Sequence, residues 1–146
     1  MSEPRSIRFE PRTIERLATY AAQRPGVTSA SAAARLVEEG LRMDAHPGIL
    51  FRDGPAGRRA VLIGGPDVWE VIRAIRDARA TEPDLADDEV LSLVESNTGV
   101  AISRIRIAID YFGDFPDEID ARCAQAHVAE RERELAHQRT SELLRA

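Results

Sequence analysis

Residues 6–43 read SIRFEPRTIERLATYAAQRPGVTSASAAARLVEEGLRM, a short alternating segment followed by two amphipathic helical stretches. Its first five residues, Ser6-Ile7-Arg8-Phe9-Glu10, alternate in polarity. A strand here puts Ile7 and Phe9 on one face and Ser6 and Arg8 on the other. Pro11 stands where the first turn of a helix tolerates a missing N–H. Ile14, Leu17, Ala18, Ala21 and Ala22 then recur at helical spacing. Pro25-Gly26 breaks that helix, and Thr28 or Ser29 is placed to cap a second one. The second apolar stripe is Ala33, Leu36, Val37, Gly40 and Leu41. One strand and two short helices bury little surface alone, and an unpaired strand exposes its backbone edges. A second copy pairing its strand antiparallel removes both problems, so this segment is expected to be an obligate homodimer joined through its N-terminal ribbon.

This order of elements resembles the ribbon-helix-helix family of bacterial repressors. The resemblance implies a two-stranded ribbon in the DNA major groove and a phosphate held at the start of the second helix. Carried over residue by residue, it gives Ser6 and Arg8 to base reading and Thr28 and Ser29 to the DNA backbone. The next outward position back is Pro4, neither a ladder donor nor a base reader. Base reading therefore rests largely on Arg8, with Arg5 or Arg12 near the phosphates.

Composition narrows the classes. At 146 residues with 43% hydrophobic content, the chain holds one medium domain or two small ones with a real core. A single cysteine excludes an internal disulfide, and Cys123 reads as a small buried residue in a reducing compartment. No basic leader precedes an apolar run and no segment approaches a membrane span, so a cytoplasmic, non-membrane protein is expected. All twenty basic residues are Arg, a bias that a GC-rich genome explains without function. A net charge of −5 argues against a simple DNA-coating protein. The charge is unevenly spread: residues 1–43 carry seven Arg against five acids, residues 44–80 six against five, and residues 81–146 seven against fifteen. A mildly basic front with an acidic rear suits two kinds of partner.

Residues 44–48, Asp44-Ala45-His46-Pro47-Gly48, read as a linker. Ile49–Arg52 and Arg59–Ile63 are strand-like, joined by the glycine-bearing run Asp53–Arg58, which predicts a hairpin. Asp67 caps a helix with Val68, Trp69, Val71, Ile72 and Ile75 on its apolar side. A second helix starts at Asp87 or Asp88 and packs Val90, Leu91, Leu93 and Val94 inward. Asn97-Thr98-Gly99 stops it, and a third starts near Ala101. A hairpin, a helix, and then a helix–glycine turn–helix describe a winged or helix-turn-helix module.

Four blocks of this region stand out together: His46-Pro47-Gly48-Ile49, Asp67-Val68-Trp69-Glu70, Ile109-Asp110-Tyr111-Phe112 and Phe115-Pro116-Asp117-Glu118-Ile119-Asp120. Over roughly residues 46–122 the chain resembles a helix-turn-helix antitoxin family long catalogued as a domain of unknown function. That family is grouped with VapB-type antitoxins and encoded beside toxins with a PIN-like nuclease fold. The resemblance implies an antitoxin, and a ribbon-helix-helix unit fused in front agrees with it.

At 100° per residue, Ile102, Ile105, Ala108, Ile109 and Phe112 form the core stripe of the third helix. Ser103, Arg104, Arg106, Asp110 and Ile107 lie opposite. An apolar residue rimmed by Arg and Asp suits a protein contact better than a base-reading helix, so Arg104 and Ile107 are expected to bind a partner. Arg52, Arg58 and Arg59 flank the hairpin tip, either touching phosphates as a wing does or standing in a solvated turn.

From Pro116 helix propensity is high to the end. Ile119, Cys123 and Ala126 dock the first turns; beyond His127 the apolar stripe thins. The tail is either a solvated helix or a segment that folds on a partner, with Leu135, Leu143 and Leu144 as anchors and Arg131, Arg133, Arg139 or Arg145 free to enter a carboxylate-lined toxin site. Cys123, His127 and His137 lack a further ligand at metal-site spacing, and Gly64-Gly65 lack a phosphate-loop pattern. Asp87-Asp88 and Asp117-Glu118 stand where helix N-termini favour acids. No enzyme, cofactor or metal is expected.

The expected fold is thus mainly α with small β elements. A ribbon-helix-helix for DNA binding and dimerisation spans 1–43, a linker 44–48, a hairpin plus helix-turn-helix domain 49–122 and a helical tail 123–146. The expected function is a type II antitoxin that represses its own operator as a dimer and silences a PIN-like ribonuclease. The rival readings are a stand-alone dimeric transcriptional regulator with no toxin and an interaction scaffold that never touches DNA.

Overall fold

The computed structural model describes Glu3 and residues 5–145; Pro4, singled out above, lies outside the described residues. Among the described residues the chain is mainly helical with a two-stranded antiparallel hairpin. It divides into two compact units, Met1–Ala45 and His46–Ala146.

The first unit holds α1 (Pro11–Ala22) and α2 (Ser29–Ala45). Pro11 opens α1 in its first turn, with Glu10 in extended backbone before it. Arg24 closes the far end, its guanidinium 3.6 Å over the Tyr20 ring and donating to the Tyr20 carbonyl at 3.1 Å. Of the two candidate caps for α2, Thr28 serves. Its Oγ1 accepts the Ser31 N–H at 3.1 Å and the Ser31 hydroxyl accepts the Thr28 N–H at 3.0 Å, while Ser29 is already helical. Residues 5–10 are exposed and carry no ladder within the single chain.

The expected linker at 44–48 is shorter than the sequence suggested. Asp44 and Ala45 continue α2, which stops at the residue before the His46-Pro47 pair, because the proline ring disfavours helical backbone at His46. His46 itself is buried in the second unit.

That second unit begins with β1 (Ile49–Arg52) and β2 (Arg59–Leu62), paired in register Ile49↔Leu62 through Arg52↔Arg59. Three helices follow, α3 (Val68–Thr81), α4 (Asp87–Thr98) and α5 (Ile102–Asp114). The Glu70 carboxylate accepts the Asp67 N–H at 2.9 Å to start α3, and Glu89 accepts the Ala86 N–H at 2.8 Å to start α4. Gly99, at φ +72°, ends α4 in the left-handed conformation that glycine adopts without strain. Glu95 then reaches over the turn to accept the Ile102 N–H at 2.8 Å, so α4 caps α5.

The core joins Ile49 and Leu62 of the hairpin to Val68, Val71 and Ile72 of α3, Val90 and Val94 of α4, and Ile105, Ala108 and Tyr111 of α5. The buried arc of α5 is therefore centred on Ala108, about 60° round from the expected stripe. That rotation brings Tyr111 fully inside. It also half-buries Ile107, which packs on the backbone at Gly48, so the exposed isoleucine expected at this position is not there.

The last element, α6 (Pro116–Arg145), is one uninterrupted helix, about 45 Å long at the usual rise. The expected boundary between residues 122 and 123 is therefore not a break. Ile119 is buried and Cys123 half-buried against the core, whereas residues 131–140 are exposed throughout. No helix among the described residues is long and apolar enough to cross a membrane.

Candidate functional site

In the first unit the chemistry lies on the outside. Ser6, Arg8 and Arg12 are exposed, as is Arg5, which stands 3.6 Å from the Glu3 carboxylate with both side chains in solvent. Ion pairing at such exposure contributes little and leaves Arg5 available to a polyanion. The Thr28 hydroxyl is already committed to its cap, so what the start of α2 offers an anion is its remaining backbone N–H groups and the exposed Ser29.

The apolar face of this unit is equally uncovered. Ile7 is 67% exposed, Leu41 63%, Ile14 54% and Val37 47%. Phe9 turns towards Ile14 and Leu17, and together with Ala30 and Ala33 they line a cavity of ≈ 190 Å³ between the leading segment and the two helices. Exposed apolar side chains gathered on a small unit are the kind of surface that interfaces use.

In the second unit most of the candidate cations are tied into the fold. Arg59 donates to the Asp53 carbonyl at 2.6 Å and holds the Asp67 carboxylate at 2.7 Å, linking the hairpin to the start of α3. Arg58 lies 3.5 Å from Asp53. Arg104 donates to the Ile63 carbonyl at 2.5 Å and so braces the end of the hairpin. Arg104 and Ile107 are thus structural neighbours of the hairpin rather than an exposed pair.

Three residues that were not among the expected site residues help hold this unit together. Arg122 of α6 donates to the Ala56 carbonyl at 2.6 Å and also to the Arg58 carbonyl, gripping the hairpin turn. His46 Nε2 lies 2.8 Å from Asp114, and its ring meets Tyr111 and Phe115 edge-on at 5.3 and 5.9 Å between centroids. The Tyr111 hydroxyl sits 3.3 Å from both Glu118 carboxylate oxygens. The His46, Tyr111 and Glu118 signal was present in the sequence as a distinctive spacing, but nothing in that spacing showed that they converge.

Along α6, Arg73 of α3 donates to Glu130 at 2.6 Å and Arg76 to Asp120 at 2.6 Å. The hydrogen bond from Arg73 holds the Glu130 carboxyl below the usual carboxylate range. Burial pushes the Cys123 thiol up; its Sγ donates to the Trp69 carbonyl at 3.6 Å. Beyond Glu130, Arg131, Arg133, Arg139 and Arg145 are exposed, as are Leu135, Leu143 and Leu144. No group of three or more His, Cys, Asp or Glu side chains among the described residues is placed to hold a metal ion.

Comparison with protein families, curated proteins and solved structures found no match to this chain.

Proposed function

We propose that this protein is an antitoxin of a type II toxin–antitoxin pair, a homodimer that binds its own operator and neutralises a PIN-like ribonuclease. The observation that carries the reading is the uncovered apolar face formed by Ile7, Phe9, Ile14, Val37 and Leu41. A second copy pairing residues 6–10 antiparallel would cover that face, satisfy the strand edges and leave Ser6 and Arg8 pointing outward as a ribbon for the major groove. Arg5, Arg12 and the start of α2, with Thr28 and Ser29, would lie along the phosphates.

Charge supports a division of labour. Residues 1–45 carry seven Arg against six acids and residues 46–146 thirteen against nineteen, so the first unit suits DNA and the second a protein. The exposed end of α6 supplies Leu135, Leu143 and Leu144 as anchors. Arg131, Arg133, Arg139 and Arg145 are the candidates for insertion among the toxin's carboxylates. Arg58 and Arg59 would assist at DNA only through whatever their internal contacts leave exposed.

The test has two arms. Sedimentation and gel-shift titration against the DNA upstream of the gene should give a dimer that binds specifically, and Arg8→Ala should cost about 1–3 kcal/mol of operator affinity and lower its salt dependence. Mixing with the product of the adjacent gene should give a stable complex and block ribonuclease activity. A monomer with no preference for that DNA ends the repressor reading; no complex with any neighbour-encoded protein ends the antitoxin reading.

A further inference from the structure

We infer that the groove between α3 and α4 is a docking site for an arginine-bearing, apolar-anchored segment of a second protein. The inference concerns a surface outside the operator and tail sites above and does not rest on them. The groove encloses ≈ 330 Å³, with Ala74, Ala78, Leu93 and Val94 as its floor and Asp77 and Glu82 at its mouth. Alanines at two successive turns of α3 leave room for a side chain to enter from outside. Thr81 turns its hydroxyl back to the Asp77 carbonyl at 2.9 Å, which leaves the floor apolar.

Charge identifies the occupant. Residues 80–103 contain six acids and no Arg, in a chain with twenty Arg. Part of that acidity serves the fold. Glu89 and Glu95 accept helix N–H groups and Asp87 pairs with Arg79. Glu82, Asp84 and Asp88 make no side-chain hydrogen bond or ion pair among the described residues; Glu82 lines the groove with Asp77, and Asp84 and Asp88 stand outside its lining. The cations of α3 do not compensate them, because Arg73 is held by Glu130, Arg76 by Asp120 and Arg79 by Asp87. An apolar floor with the Asp77 and Glu82 carboxylates at its mouth matches a guanidinium carried on an aliphatic stem beside an apolar anchor. A nucleic acid is repelled here. So is a second copy docking symmetrically, since it would bring the same acidic face against itself.

The probe is a short synthetic amphipathic helix with leucines three and four residues apart and arginine elsewhere, titrated into the full chain and followed by backbone amide NMR. The expected result is saturable binding with shifts confined to residues 74–82, at the end of α3 and its cap, and 93–97 of α4. Asp77→Arg with Glu82→Arg should weaken it by on the order of tenfold or more. Asn97→Arg, at the other side of the mouth, should weaken it likewise, and circular dichroism checks that each variant folds. Asp110→Arg, an exposed reversal on α5, should change the affinity less than about twofold if the groove and not general acidity is read. Shifts spread over the acidic surface, equal binding of the peptide with glutamate in place of arginine, or an equal effect of Asp110→Arg would overturn the proposal.

Discussion

At the scale of single residues, Tyr111 is the side chain on which the second unit turns. Fully buried, it sits among His46, Phe51 and Phe115, with ring centroids 4.8–6.3 Å away. Tyr111→Ala should cost about 3–5 kcal/mol in denaturant unfolding, whereas Tyr111→Phe, losing only the hydroxyl near Glu118, should cost about 1 kcal/mol. Two glycines make a second pair of expectations. Gly99 at φ +72° has open space where a Cβ would stand, so Gly99→Ala should cost about 1 kcal/mol from backbone strain alone. At Gly48, with φ +101°, a Cβ would lie 2.9 Å from Ile107 Cδ1 as well. Gly48→Ala should therefore be the more costly of the two, and adding Ile107→Val should recover the difference due to contact but not the strain. Periodicity alone marked the core positions Ile105 and Ala108 but not Tyr111. A stripe drawn through the most hydrophobic residues of α5 is pulled towards its isoleucines, while burial follows which arc meets the hairpin and α6.

Among the elements, α6 shows how charge and packing divide one helix. Its first turns bury Ile119 and half-bury Cys123, and the Arg73 and Arg76 pairs extend its attachment as far as Glu130. Because Glu130 titrates below its ordinary range in the folded chain, its contribution is present at pH values above the ordinary carboxylate range. It is lost as pH falls through the lowered value. Carboxyl chemical shifts of Glu130 should show this depression, and Arg73→Ala should return the titration to the ordinary range. Shortening the chain after residue 130 should leave the unfolding midpoint of the second unit unchanged, since residues 131–140 are exposed, while reducing the helical signal. The helix starts were legible beforehand because Pro11, Asp67, the Asp87-Asp88 pair and Pro116 are local signals. The docked length of α6 was not. Helical propensity stays high from Pro116 onward, and the cross-helix ion pairs that fix its docked length depend on contacts 57 and 44 residues apart in sequence.

For the whole molecule, the two units should melt separately. The first exposes large apolar side chains, and on the proposed dimer, where a second copy covers them, its transition should rise with protein concentration, while that of the second should not. Val37→Asp should abolish the concentration dependence, which calorimetry over a dilution series measures. The hairpin, the order of the helices and the change in charge along the chain could all be read from sequence, because each depends on neighbouring residues. The groove between α3 and α4, and the bracing of the hairpin by Arg104 and Arg122, could not, since they join residues that only the folded chain brings together. The missing cations around α4 have a practical consequence as well. Trypsin cuts after Arg, and between Arg79 and Arg104 it finds no site. However far digestion proceeds, α4 and its turn leave as a single peptide, whereas the outer part of α6 offers four cleavage points on bare helix.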